Sequence, residues 1–433
     1  MQEADIIVVG AGACGLMAAR MLSKAGKRVA ILEARDRTGG RIHTVDNHTF
    51  STPTESGAEF IHGELPVTIG LLKEAGIKYH AIEGELWRHD AGSFMQEENF
   101  VEGRELLILR LQELKEDTTV AAFLDQFFSD EKFASLRNSV KGYVEGYDAA
   151  DTTKASAFAF RDEWSADEIS EQFRPNGGYH HLVQFMENDC RQSGCAIHLS
   201  SVVKEIRWQP GQVVVFTDKH TGYSAKKIII SVPLGIMQAT PLFENALCFH
   251  PAIPEKIKAF QLLGFGAVIK ILLNFREAFW KDGLRGHDGK NLKSMGWLFS
   301  AAEIPTWWTQ LPDKSSLLTG WLAGPRALKM KDLNDEQILD KTLRSLSEIF
   351  EMSVEELSNN LSDWRVNNWT ADPFTLGAYA YSTLETHEAI KIVTEPVGDT
   401  LFFAGEALHD GARMGTVEGA LASGQLVVKQ VLG

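Results

Sequence analysis

The 433-residue sequence is 44% hydrophobic and 23% charged, the composition of a globular protein long enough for two cores. Its net charge of −15 excludes the basic footprint that nucleic-acid binding needs, and no apolar run reaches the ~18 residues of a membrane span. Cys14, Cys190, Cys195 and Cys248 show neither metal spacing nor a paired framework, and the first strand starts too early for a leader peptide. The expectation is a cytoplasmic protein with reduced thiols, no membrane contact and no metal.

The chain opens with an apolar strand, Asp5-Ile6-Ile7-Val8-Val9, followed by Gly10-Ala11-Gly12-Ala13-Cys14-Gly15. Leu16 to Ala25 then reads as a helix, and Val29-Ala30-Ile31-Leu32 as a second strand that ends on Glu33. This is the dinucleotide fingerprint in its β-turn-α-β context. Gly10 permits the tight turn, Gly12 lets a pyrophosphate approach the backbone, and Gly15 lets helix and strand pack closely. The helix N-terminus offers unpaired N–H groups and positive dipole, and Ala13, in the glycine turn before it, joins the glycines among the expected cofactor residues. Glu33 stands where an acid accepts ribose hydroxyl protons.

The acid continues as Glu33-Ala34-Arg35-Asp36-Arg37-Thr38-Gly39-Gly40-Arg41. This string resembles the FAD-binding start of the flavin amine oxidase and glutathione-reductase-like families, with Ala34, Arg35, Gly40 and Arg41 on the cofactor. Thr44 to Pro53 is polar and reads as a ribbon or loop. Gly57-Ala58-Glu59-Phe60-Ile61-His62-Gly63 resembles the G-A-x-W-I-H-G stretch of spermine and polyamine oxidases, in which the histidine faces the substrate. A lone histidine in an apolar segment is more often a core residue; the resemblance points His62 at the site and leaves Glu59 open between site and scaffold.

Pro66 to Gly76 reads as a helix. From Glu83 to Arg174 glycines thin out and amphipathic helices are expected around Leu106–Leu114, Ala122–Phe128 and Phe133–Val140, as a helical insertion. The acid-rich run Arg161 to Glu171 reads as a solvated surface, with presentation of charge to a cation as the alternative. Pro175-Asn176-Gly177-Gly178 resembles the family's turn back into the FAD domain. A helix from His181 to Arg191, strands at Ile197–Leu199, Val202–Ile206 and Val213–Thr217, and a return strand Lys227–Val232 follow. The resemblance sets the Val203 backbone against the adenine.

Leu262 to Phe275 carries one lysine, Lys270, inside an apolar strand, and lysines are rarely buried without a partner or a task. A strand-edge lysine reaching solvent is the plain alternative; in flavin amine oxidases a lysine in this context holds a water at flavin N5. Trp297–Phe299 and Leu317–Leu322 read as strands of one antiparallel sheet, Asp335–Phe350 as a helix and Trp364–Val366 as a short strand. Trp369 to Tyr381 resembles the family's return to the flavin, with Tyr379 beside the substrate amine. Ala378 stands where monoamine oxidases carry the cysteine bonded to FAD, so attachment there is non-covalent. Gly405-Glu406 and the segment Thr416-Val417 at the start of the last helix complete the cofactor set, and Thr416 replaces the second tyrosine of the monoamine oxidase cage.

The resemblance thus implies an α/β protein. A discontinuous Rossmann-like FAD-binding domain (1–80, 175–258, 373–433) carries an α+β substrate domain (81–174, 259–372). The implied activity is FAD-dependent oxidation of a carbon–nitrogen bond in a polyamine or other amine, with dioxygen as acceptor and hydrogen peroxide as product. Lys270, His62 and Tyr379 are the implied catalytic residues. A carotenoid-type desaturase or isomerase and an L-amino-acid oxidase are the alternatives. A chromatin-type demethylase is expected to show an added partner-binding domain or a long helical insertion.

Overall fold

The computed structural model describes residues 2–45, 50, 53–98, 101, 103–165, 171–281 and 290–433. Most of the expected ribbon at 44–53 and the acid-rich run at 166–170 lie outside these. A five-stranded parallel sheet forms the first layer, in the order Ala196–His198, Val29–Leu32, Ile6–Val9, Lys227–Ile230, Leu401–Phe403. Its strands read as unbroken apolar runs because both faces are covered. Ile6 and Val8 pack with Leu16, Leu182 and Leu421 of the helices Ala13–Lys24, His180–Gln192 and Val417–Leu432. Ile7 and Val9 face the opposite way, onto Val203, Ile206 and Val215 of a meander sheet. Strand alternation splits one run into two cores.

The first helix begins at Ala13, three residues before the sequence signal placed it, because Gly12 already supplies its extended N-cap. The last helix is tied to the helix Pro66–Glu74 by a buried carboxylate. Glu418 accepts the Val67 and Thr68 N–H groups at 2.9 and 2.7 Å, which otherwise have no partner inside their own helix.

The second layer is a seven-stranded sheet, ordered Leu361–Asn368, Val268–Phe275, Leu317–Ala323, Thr306–Trp308, Met295–Ser300, Glu85–Asp90, Ser93–Glu97. It corrects the sequence reading in two places. The segment after Glu83 begins with a β-hairpin, Glu85–Asp90 with Ser93–Glu97, before the helices Arg104–Glu113, Val120–Phe127 and Ala134–Gly146. The hairpin's polar alternation, Arg88 and Glu97 paired across it, hides it from an apolar-run search. The sheet is also mixed rather than antiparallel, since Met295–Ser300 runs parallel to Glu85–Asp90. The helix Asp335–Phe350 falls where expected, started by an Asn334–Gln337 capping box, and covers Ile269, Ile271 and Leu273.

Candidate active site

Alternation along Val268–Phe275 decides where Lys270 goes. Ile269, Ile271 and Leu273 take the face under the helix, so Lys270 takes the other. The strand is central, with Lys270 opposite Trp321 on one side and Asn367 on the other, so no sheet edge leads to solvent. The side chain is 1% exposed, and its ammonium donates to Glu59 Oε2 at 2.7 Å and to the Gly57 carbonyl at 3.1 Å. The strand-edge alternative is therefore excluded by position. Glu59 also accepts from Arg174 Nε at 2.9 Å and Trp308 Nε1 at 3.1 Å. Burial works to raise the Glu59 carboxyl, but the Lys270 and Arg174 charges outweigh it and hold it below its ordinary value.

His62 sits on a two-residue strand, Ile61–His62, paired with Gln172–Pro175. Its Nδ1 shares a 3.0 Å hydrogen bond with the Tyr147 hydroxyl. Removal from water pushes the imidazole down to about 4, and the Arg413 charge adds to this, so the ring is neutral at pH 7. Tyr379 donates to the Tyr147 carbonyl at 2.5 Å and lies near-parallel to Trp321, with 6.5 Å between ring centroids. Tyr147 is the residue the sequence reading missed. It follows Tyr143 by four positions at the end of a helix, and that spacing puts both rings on one face, stacked 5.0 Å apart.

Beside these rings stand two acids. Tyr143 donates to Glu163 Oε1 at 2.7 Å, and Asp148 follows Tyr147 directly. Removal from water raises the Asp148 carboxyl far above the carboxylate range, and the Glu163 charge adds to it. Glu163 is raised likewise by removal from water, against the pull of its bond from Tyr143. Among the described residues neither carboxyl has a lysine or arginine partner. Glu163 thus faces the cavity and not the solvated surface expected for its run.

A single cavity of about 1830 Å³ joins this chemistry to the glycine turn. It is lined by Gly10, Gly12, Ala13, Glu33, Ala34, Arg35, Gly40, Arg41, Val203, Gly405, Glu406, Thr416 and Val417, and further on by His62, Lys270 and Tyr379. Gly15 is the one expected site residue outside the lining: a Cβ there would lie 2.0 Å from the Gly10 carbonyl, so its task is packing. Gly12 is the converse, since a Cβ there meets nothing within 4 Å. Glu33 accepts the Ala11 N–H at 2.6 Å and the Arg35 N–H at 2.9 Å, and burial raises its carboxyl. Arg41 bonds Glu406 Oε1 at 2.7 Å and the Ala378 carbonyl at 2.5 Å, tying the turn to the Ala378–Ala380 loop, whose Ala380 N–H also goes to Glu406. Thr416 is spent on capping: its hydroxyl accepts the Gly419 N–H at 3.0 Å, which starts the last helix at Val417.

These residues fit a dinucleotide. The space above Gly12 and the starts of two helices on one cavity wall suit a pyrophosphate and an electron-rich ring, and the length of the lining suits the whole of FAD. A family profile described as flavin containing amine oxidoreductase matches residues 13–432. The chain belongs to this family. It is an FAD-dependent oxidoreductase that acts on amines.

Relatives of this amine oxidoreductase include human lysine-specific histone demethylase 2, 28% identical over 97% of this chain and 52% of that protein. They also include a probable polyamine oxidase 4 of Arabidopsis thaliana, 27% identical over 98% of this chain and 86% of that protein. The chain thus spans about half the length of the demethylase. Among solved structures it resembles a redesigned putrescine oxidase at TM-score 0.81 and 22% identity, covering 100% of this chain and 99% of that one. Cyclohexylamine oxidase from Brevibacterium oxydans gives TM-score 0.78 at 19% identity, over 99% of this chain and 98% of that one. Among the described residues no helix is long and apolar enough to cross a membrane.

Proposed function

We propose that this amine oxidoreductase oxidises a carbon–nitrogen bond of a polyamine or diamine. The observation that carries the reading is the acid pair Asp148 and Glu163, which among the described residues has no lysine or arginine partner and lines the same cavity as His62, Tyr379 and Lys270. Its rings and carboxyls suit one ammonium group held charged, at a distance from a second amine that reacts.

FAD would be held without a covalent bond, since Ala378 offers no thiol, by Gly12, Glu33, Arg41 and the start of the last helix at Val417, and would supply a two-electron acceptor beside the amine's α-carbon. Tyr379 and Trp321 present flat apolar faces that exclude water around the reacting carbon. His62, neutral and held by Tyr147, binds the amine or takes its proton. Lys270 holds a water at the reacting face. The imine product takes up water and gives a carbonyl plus a shortened amine where a secondary amine reacts, or plus ammonia where a primary amine reacts, and dioxygen accepts the two electrons and two protons as hydrogen peroxide. A cytoplasmic setting goes with this reading.

An anaerobic panel of amines, followed by flavin absorbance, tests it. Bleaching by spermine and not by benzylamine supports a polyamine; bleaching by amino acids alone supports the amino-acid oxidase reading; no bleaching by any amine abandons the proposal. The acid pair makes a further claim. The double variant Asp148→Asn/Glu163→Gln, which removes the negative charge the pair shares, raises KM for a diamine roughly tenfold, the loss of one charge-assisted contact, and leaves KM for a monoamine of equal length unchanged. The pH dependence follows from the raised carboxyls. A cation binds the ionised form, so KM for the diamine falls as pH rises above the ordinary carboxylate range, and Glu163→Gln flattens that fall.

A further inference from the structure

Lys270 is expected to act through its ammonium, and the structure shows what that ammonium is fastened to. An ammonium has three N–H donors. One goes to Glu59 Oε2 at 2.7 Å and one to the Gly57 carbonyl at 3.1 Å, which leaves one for the cavity that Lys270 lines. Glu59 is itself clamped. Its Oε1 takes Arg174 Nε at 2.9 Å, and Trp308 Nε1 reaches both oxygens at 3.1 and 3.2 Å. Arg174 in turn donates to the Leu311 and Thr309 carbonyls at 3.0 and 3.1 Å, so the clamp is rooted in backbone. Lys270, Glu59 and Arg174 are 1%, 6% and 7% exposed.

We propose that Glu59 is a positioning residue for Lys270: its clamped carboxylate fixes the lysine as a charged hydrogen-bond donor with one N–H facing the cavity. A buried amine without a counter-ion is driven to its neutral form, which has a lone pair and competes for protons, and the other acid whose charge reaches Lys270, Glu55, is pushed up to about 7 by burial and is engaged by Thr44 and the Tyr179 N–H, so Glu59 is the bonded counter-ion. With Glu59 in place Lys270 only donates. It offers a fixed N–H to an acceptor in the cavity, and a proton leaving the substrate goes to another group, for which His62 is placed. The motif around Glu59, Gly57-Ala58-Glu59-Phe60, thus does two tasks at once, since the Gly57 carbonyl takes the second donor. The turnover arm of the test rests on the amine-oxidation reading; the spectroscopic arm does not.

The test uses full-length protein with its FAD, labelled with 13C at lysine Cε. The Lys270 resonance is the one missing from Lys270→Met. In Glu59→Gln its titration midpoint is expected about one unit or more below that of the wild type, and the pH profile of kcat gains a descending limb at the same pH. Glu59→Asp restores both in part. Equal midpoints in wild type and Glu59→Gln, or a kcat lowered evenly at every pH, overturn the proposal. If Glu59→Gln does not fold, Arg174→Gln tests the clamp with the opposite sign. Removing a competing cation moves the Lys270 midpoint up, and an unchanged or lowered midpoint overturns the proposal. A shifted midpoint in a protein that no amine bleaches would uphold the positioning role and abandon the amine reading instead.

Discussion

Lys270→Met lowers the amine-dependent rate by about 10²-fold or more, the usual scale for a positioned donor in a reacting site. The loss should appear in stopped-flow flavin reduction or in reoxidation by dioxygen, measured separately. Unchanged rates in both would remove Lys270 from the mechanism. The substitution leaves Glu59 with Arg174 and Trp308, so the carboxylate is not orphaned and the protein should fold. The stability cost is expected at about 1–3 kcal/mol, that of one lost buried charge-assisted bond. Urea unfolding of the purified variant checks this, and separates a catalytic loss from a collapse of the site.

The second large effect is a contrast between two glycines three positions apart. Gly12→Ala places a methyl group where the protein has nothing within 4 Å, so the variant folds and its cofactor-free form has an unchanged urea midpoint. That space is the phosphate approach, and the Kd of the variant for FAD is expected to rise tenfold or more, a loss of about 1.4 kcal/mol in binding. Gly15→Ala fails differently. Its methyl would lie 2.0 Å from the Gly10 carbonyl and 2.7 Å from Ser231 Oγ, and the helix must leave the strand to admit it. That overpacking costs roughly 3 kcal/mol or more and lowers the urea midpoint even without cofactor. Equal behaviour of the two variants would refute the assignment of Gly12 to ligand and Gly15 to packing.

The cofactor half of the site was legible because its chemistry is local. A strand, a glycine turn and a helix start are contiguous, and each residue's task follows from backbone geometry over a few positions. Lys270 was legible for another reason: a single charge in an apolar strand breaks the burial pattern. The hairpin Glu85–Asp90 with Ser93–Glu97 was not, because its polar residues pair with one another and leave no apolar run. Tyr147 gave a weak signal, an aromatic pair with Tyr143 spaced by four, which reads equally well as an ordinary helix face, and Asp148 gave none.

By itself the sequence determined the dinucleotide cradle, the order of the central strands' apolar runs and the identity of the lysine. Local sterics and the cost of burying charge act on neighbours in the chain, so they leave a trace in the order of residues. Only the tertiary structure decided what Lys270 is bound to, that burial holds the His62 imidazole below its ordinary value and that Asp148 and Glu163 line the same cavity as both. Those facts depend on contacts between residues as far apart as Glu59 and Lys270, 211 positions in the chain, and on water removed by elements that meet only when the two sheets pack.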